Sequence, residues 1–210
     1  MAQLIEGLDV GRVRDNLARV REDIGRDDVE ILAAVKYLAL EGLGVLAEAG
    51  IALAGENRAQ ELERKARAHP ELTWDFIGHL QSRKVKQVLP YVRLVHSVAS
   101  DSVLGQLARH ATPQTEVLVE VNVAREPGKS GVDPAELDAF LGRCPCRVSG
   151  LMTMPPATDD PERSRRWFAE LARLAGERGL PRLSMGTSQD YAVAAQEGAT
   201  IVRIGTKLYT

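Results

Sequence analysis

Lys36 closes a short apolar run, Ile31-Leu32-Ala33-Ala34-Val35, where a buried strand hands over to a loop, and no acidic residue stands beside it. An ammonium so placed must be paired, lifted into water or deprotonated, and deprotonation frees a nucleophilic amine for Schiff-base chemistry. The competing reading is a strand-end lysine that buries its stem and keeps its head in water. Two segments near the other end of the chain carry a complementary chemistry. Gly186-Thr187-Ser188 precedes a helix and is followed, one βα unit later, by Gly205-Thr206. Together they offer backbone N–H groups, hydroxyls and a helix N-terminus to an anion, phosphate above all. Outside a suitable fold, the simpler reading is two ordinary capped turns.

The elements that must position these residues can be read from hydrophobic periodicity. Val10, Val13, Leu17, Val20 and Ile24 recur at spacings of three and four, which predicts an amphipathic N-terminal helix within residues 1–25. Beyond the turn at 25–28, short apolar runs alternate with helical patterns. Strands are predicted at 30–35, 51–54, 73–77, 93–97, 116–123, 147–152, 182–185 and 200–204. Helices are predicted near 41–49, 58–68, 81–89, 100–111, 134–141, 161–176 and 189–197. Alternation of this kind means repeated βαβ units and a parallel sheet. Eight such strands predict a single (β/α)8 TIM barrel over residues 1–210, with the first helix as an addition and the site at the strand C-terminal ends. A doubly wound open sheet is the alternative.

The barrel reading requires polar residues just after each strand, and they are there. In chain order they are Lys36; Gly55-Glu56-Asn57; Gly78-His79; His96-Ser97; Asn122 with Lys129-Ser130-Gly131; Met152-Thr153; Gly186-Thr187-Ser188; and Arg203 with Gly205-Thr206. The loops after strands seven and eight are the usual phosphate position of this fold. A strand-one lysine facing a phosphate cradle can hold a phosphorylated aldehyde by imine and anion contacts, and pyridoxal 5′-phosphate (PLP) is such a molecule. Arg203, beside the cradle, could reach its pyridine nitrogen. A permanently charged arginine there disfavours ring protonation and weakens the electron sink of pyridoxal catalysis, which predicts muted turnover.

Composition narrows the alternatives. With 44% hydrophobic and 27% charged residues and a formal charge of -2, the chain can bury one core but carries no general field for nucleic acid or acidic membrane. The basic cluster Arg83-Lys84-Val85-Lys86 is short and lacks interleaved aromatics, so it reads as a solvated helix face. Cys144 and Cys146 flank Pro145, too close for a relaxed disulfide and without zinc-site spacing, so they read as structural thiols and no metal site is expected. Residues 1–7 lack the basic and apolar segments of a secretory leader, and no apolar run suggests a membrane span. A reducing cytoplasm is the expected location.

Nine blocks, in order along nearly the whole chain, resemble the pyridoxal phosphate homeostasis proteins, often called the YggS or PROSC family. They are Ala34-Val35-Lys36; Gly55-Glu56-Asn57; residues 76–84 around Gly78-His79-Leu80-Gln81; His96-Ser97-Val98; Val121-Asn122-Val123; Lys129-Ser130-Gly131-Val132; Gly150-Leu151-Met152-Thr153; Leu183-Ser184-Met185-Gly186; and Val202-Arg203-Ile204-Gly205-Thr206. The resemblance implies a barrel like the alanine racemase N-terminal domain, with PLP held as an imine to Lys36. It also implies that Ser188 and the amides of Thr187, Gly205 and Thr206 hold the phosphate, that Arg203 faces the ring nitrogen, and that Asn57 and His79 line the pocket. Asn57 as a helix cap and His79 as an ordinary loop histidine stay open. The implied role is a monomeric holder of PLP that serves vitamin B6 homeostasis, with apo-forms of PLP-dependent enzymes as recipients and no firm turnover. A racemase-like enzyme is the alternative, although Tyr37, Tyr91, Tyr191 and Tyr209 stand in no recognisable racemase motif. The chain departs from the family pattern in Val35-Lys36-Tyr37, which replaces hydroxyl neighbours of the lysine, and in Thr187, where methionine is usual.

Overall fold

The first long helix, α1 (Val10–Ile24), starts where the Asp9 carboxylate accepts the Arg12 N–H at 2.7 Å and stops at Gly25, whose φ of 64° closes it in the left-handed region. Its buried stripe of Val13, Leu17, Val20 and Ile24 is the one the spacing predicts. The computed structural model describes residues 4–210. Eight strands follow: β1 (Glu30–Ala34), β2 (Leu53–Glu56), β3 (Thr73–Phe76), β4 (Leu94–Val98), β5 (Glu116–Glu120), β6 (Arg147–Met152), β7 (Arg182–Thr187) and β8 (Ile201–Ile204). All pair in parallel in chain order, and β8 returns to β1 with Glu30 opposite Ile201. That closure makes the sheet a barrel and excludes the open doubly wound sheet.

The intervening helices are α2 (Leu43–Glu48), α3 (Ala59–Ala68), α4 (Val85–Val88), α5 (Asp101–His110), α6 (Leu137–Gly142), α7 (Arg165–Gly176) and α8 (Tyr191–Gln196), with a final turn α9 (Thr206–Tyr209). Alternation along each strand separates two apolar regions. Leu32, Leu53, Leu94, Leu118, Met152 and Ile201 fill the barrel, whereas neighbours such as Ala33, Ala54, Val95 and Val202 pack outward in a second, larger cluster that takes in the helices.

Several elements differ from expectation: β7 runs on to Thr187, two residues past 182–185, and three others depart further. Strand β2 lies two residues later than 51–54, because Gly50 turns at φ 90° and the Ile51 N–H still bonds the Leu46 carbonyl at the end of α2. Strand β5 stops at Glu120, since the Asn122 side chain bonds both the N–H and the carbonyl of Glu126 and turns the chain. The predicted helix at 81–89 is one α turn between two tighter turns, Ser82–Lys84 and Leu89–Tyr91. Helix α9 gave no periodic signal. It is fastened by the Tyr209 hydroxyl to the Ala34 carbonyl (3.1 Å) and by the Asn16 amide to the carbonyls of Leu208 and Thr210. Cys144 and Cys146 are free thiols with sulfurs 3.9 Å apart. No helix among the described residues is long and apolar enough to cross a membrane.

Candidate functional site

At the C-terminal end of the barrel lies a cavity of about 730 Å³, within the range of small-molecule sites. Lys36, Asn57, His79, Thr187, Ser188, Arg203, Gly205 and Thr206 all line it. The topology brings together residues spread over 170 positions, because all lie at or just past the C-terminal ends of five strands, β1, β2, β3, β7 and β8, of one closed sheet.

Lys36 stands two residues past β1, half-buried, with its ammonium 4.4 Å from the centre of the Tyr37 ring. The lysine ion pairs among the described residues are those of Lys65, Lys129 and Lys207, not of Lys36. Its backbone is held from below. The Val35 N–H bonds the Gly55 carbonyl at 3.0 Å, and the Val35 carbonyl accepts the buried Lys65 ammonium at 2.6 Å. Lys65 also pairs with Glu56 at 2.7 Å, both side chains fully enclosed, and the second Glu56 oxygen accepts the N–H groups of Asn57 and Arg58. One buried ion pair thus ties the ends of β1 and β2, and so fixes both Lys36 and Asn57. Glu56 was legible only as part of Gly-Glu-Asn, and Lys65 not at all, because a helix lysine ordinarily points to water.

Asn57 is pressed against Gly78. A Cβ at position 78 would lie 2.1 Å from the Asn57 carbonyl oxygen, a backbone atom that cannot step aside. Gly78→Ala is therefore expected to destabilise the protein by about 1–3 kcal/mol and to weaken ligand binding, whereas Gly105→Ala, in α5 with nothing within 4 Å, should be neutral or stabilising. Urea denaturation of the two variants checks this. The Ser97 hydroxyl, also a cavity residue, bonds the Gly78 carbonyl. His79 is exposed at the rim, 3.5 Å from the Ser130 hydroxyl, which in turn donates to Glu120.

On the opposite wall, the Gly205 N–H donates to the Ser188 hydroxyl at 3.0 Å. The Thr187 N–H is committed elsewhere: it and the Thr187 hydroxyl both donate to the Asp190 carboxylate, at 2.8 and 3.1 Å. The expected anion donor at Thr187 is therefore occupied by an acid three residues on, while Ser188, Gly205 and Thr206 face one another across the cavity edge. Arg203 is 94% buried, at 6% exposure. It donates through Nη1 to the carbonyl and hydroxyl of Ser184, and through Nη2 to the Thr153 carbonyl and the Met154 sulfur. Burial pushes its guanidinium down to about 10, while Glu120 and Asp190 hold it up, so it stays charged at neutral pH.

Glu120, Met154, Tyr37 and Gln189 also line the cavity and were not anticipated. Glu120 had a signal, since it lies two residues from inward-facing Leu118 on β5. His96, expected among the mouth residues, is instead enclosed below them.

The family described as alanine racemase, N-terminal domain, matches residues 8–210. The pyridoxal phosphate homeostasis protein of Aquifex aeolicus is 38% identical, with 95% of each chain aligned, and that of Deinococcus radiodurans is 39% identical over 86% of this chain and 88% of its own. PipY of Synechococcus elongatus, solved with PLP bound, superposes with a TM-score of 0.82 at 29% identity, covering 94% of this chain and all of that one. Alanine racemase of Corynebacterium glutamicum, at 17% identity, shares the fold with a TM-score of 0.78, and this chain spans 64% of it. The chain therefore belongs to the alanine racemase N-terminal domain family and, within it, to the pyridoxal phosphate homeostasis proteins.

Proposed function

We propose that this protein holds pyridoxal 5′-phosphate reversibly as an imine to Lys36 and serves PLP homeostasis in the cell, handing the cofactor to apo-enzymes without turnover of its own. The observation that carries the reading is a lysine, an anion cradle and a charged arginine lining one cavity. PipY, similar over its full length, has been solved with PLP bound.

The residues present fit the group. Ser188 and the Gly205 N–H satisfy each other and can turn to a phosphate together, with the Thr206 N–H beside them. Thr187 supplies a wall rather than a donor. Four of the five N–H donors of Arg203 have acceptors, which leaves Nε–H for the ring nitrogen. When bound, the aldehyde supplies a carbonyl that the Lys36 amine captures with loss of water. A guanidinium that keeps its proton cannot pass it to the ring, so the bound cofactor is a poor electron sink. Racemisation needs acid–base groups on two sides of the substrate, and Tyr37, the cavity's tyrosine, neighbours Lys36 on one side.

Titration with PLP should give a saturable visible band at micromolar ligand, and the loaded protein should reactivate a PLP-requiring apo-enzyme. Alanine incubated with it in D₂O should gain no deuterium at the α-carbon. Absence of binding at micromolar ligand would refute the reading, and rapid deuterium wash-in would turn it toward the racemase alternative.

A further inference from the structure

We propose that His96 is a positioning residue for Arg203, acting through the Ser184 hydroxyl at the head of a buried chain that runs down the barrel interior. The role rests on the reading that Arg203 faces the ligand's ring nitrogen. Strand parity puts the members inside: His96 lies two residues from Leu94, Arg203 two from Ile201 and Asp75 two from Ile77, all of which contribute to the interior cluster. His96, Asp75 and Ser184 are fully enclosed.

The chain of contacts is continuous. Arg203 Nη1 lies 2.5 Å from Ser184 Oγ, Ser184 Oγ 2.8 Å from His96 Nδ1, and His96 Nε2 3.1 Å from Asp75 Oδ2. Asp75 is gripped by Arg93 at 3.1 and 2.8 Å, and Arg93 also binds Glu30 at the outer end of β1.

The partners fix every proton. Burial opposes the charge on Asp75, yet His96 and Arg93 hold its carboxyl below the ordinary carboxylate range, so it only accepts. His96 Nε2 therefore carries the hydrogen. Burial pushes the imidazole below its ordinary value, so it is neutral and Nδ1 accepts. The single Ser184 hydrogen goes to Nδ1, which leaves the oxygen lone pairs to receive Arg203. Were Nδ1 a donor instead, ring and guanidinium would both donate to the one oxygen, and the enclosed Ser184 hydrogen would be left without an acceptor. Asp75 and His96 thus set the polarity of the hydroxyl that Arg203 leans on, and with it the direction of the remaining Nε–H.

Two measurements test this. In the ligand-free protein, long-range ¹H–¹⁵N spectra resolve the ring nitrogens of the four histidines, with His96→Gln assigning the signal. The expected result is a neutral ring protonated on Nε2, and the other tautomer or an imidazolium at neutral pH would overturn the inference with no ligand involved. If His96→Gln fails to fold, the shift change in Ser184→Ala makes the assignment. The second compares binding of PLP with that of its analogue carrying carbon in place of the ring nitrogen. Ser184→Ala should weaken PLP about tenfold, the worth of one charge-assisted hydrogen bond, and the analogue far less, with Ser184→Thr restoring part of the loss. Equal loss for both ligands would mark a merely structural role and overturn the inference. Wild-type protein that binds the analogue as tightly as PLP would instead refute the Arg203 reading beneath it, as the tautomer result would not.

Discussion

Lys36→Ala is expected to abolish borohydride-stable labelling by PLP and to weaken its binding by on the order of 100-fold, because a tethering bond makes capture effectively intramolecular. Lys36 is the one lysine among the cavity's residues. Lys65 is sealed against Glu56, and Lys129, paired with Glu126, lies outside. Stability should change by less than about 0.5 kcal/mol, since the side chain is half-exposed and makes no ion pair among the described residues. Lys36→Arg separates charge from chemistry: it keeps a cation near Tyr37 but cannot condense with an aldehyde. Titration followed by visible absorption, with intact-mass measurement after reduction, checks both variants. Retained labelling in Lys36→Ala would assign the imine to another amine.

The second large effect is structural. Lys65→Met would leave the Glu56 carboxylate enclosed at 0% exposure, with only the N–H groups of Asn57 and Arg58 to hold it, and would strip the Val35 carbonyl of its donor. Breaking a buried pair from one side costs about 3–5 kcal/mol, a large part of a stability that for such domains is about 5–15 kcal/mol. The double change Glu56→Gln with Lys65→Met removes both charges and should recover part of the loss. A urea midpoint for Lys65→Met within error of wild type would show that the pair does not fasten β1 to β2. Because the same pair holds the turn that carries Lys36, residual folded Lys65→Met should also bind PLP more weakly.

The barrel was legible because each strand is a short apolar run, each helix carries one apolar face, and polar residues collect after the strands. Lys36, Ser188, Arg203 and Gly205 could be assigned to one mouth on that basis, before any distance was known. What stayed hidden depended on partners remote in sequence. Nothing in α3 marks Lys65 as the counter-ion of Glu56, since a lysine among the charges of that helix reads as solvated and Glu56 reads as one of the mouth residues. The capture of the Thr187 amide by Asp190 depends on how one turn closes, and Gly-Thr-Ser reads as open donors until that closure is seen. His96 reads as a mouth residue from its place near the end of β4. The buried chain that claims it draws on β3, β4, β7 and β8 at once.

The link proposed between Lys36 and PLP is covalent but reversible. Its most direct test is borohydride reduction of the wild-type protein saturated with PLP, followed by proteolysis and mass mapping of the label. The expected result is one equivalent of reduced pyridoxyl phosphate on the peptide that contains Lys36, and none when the unreduced complex is first dialysed to completion. Label spread over surface lysines, or none at Lys36 despite saturable binding, would contradict it.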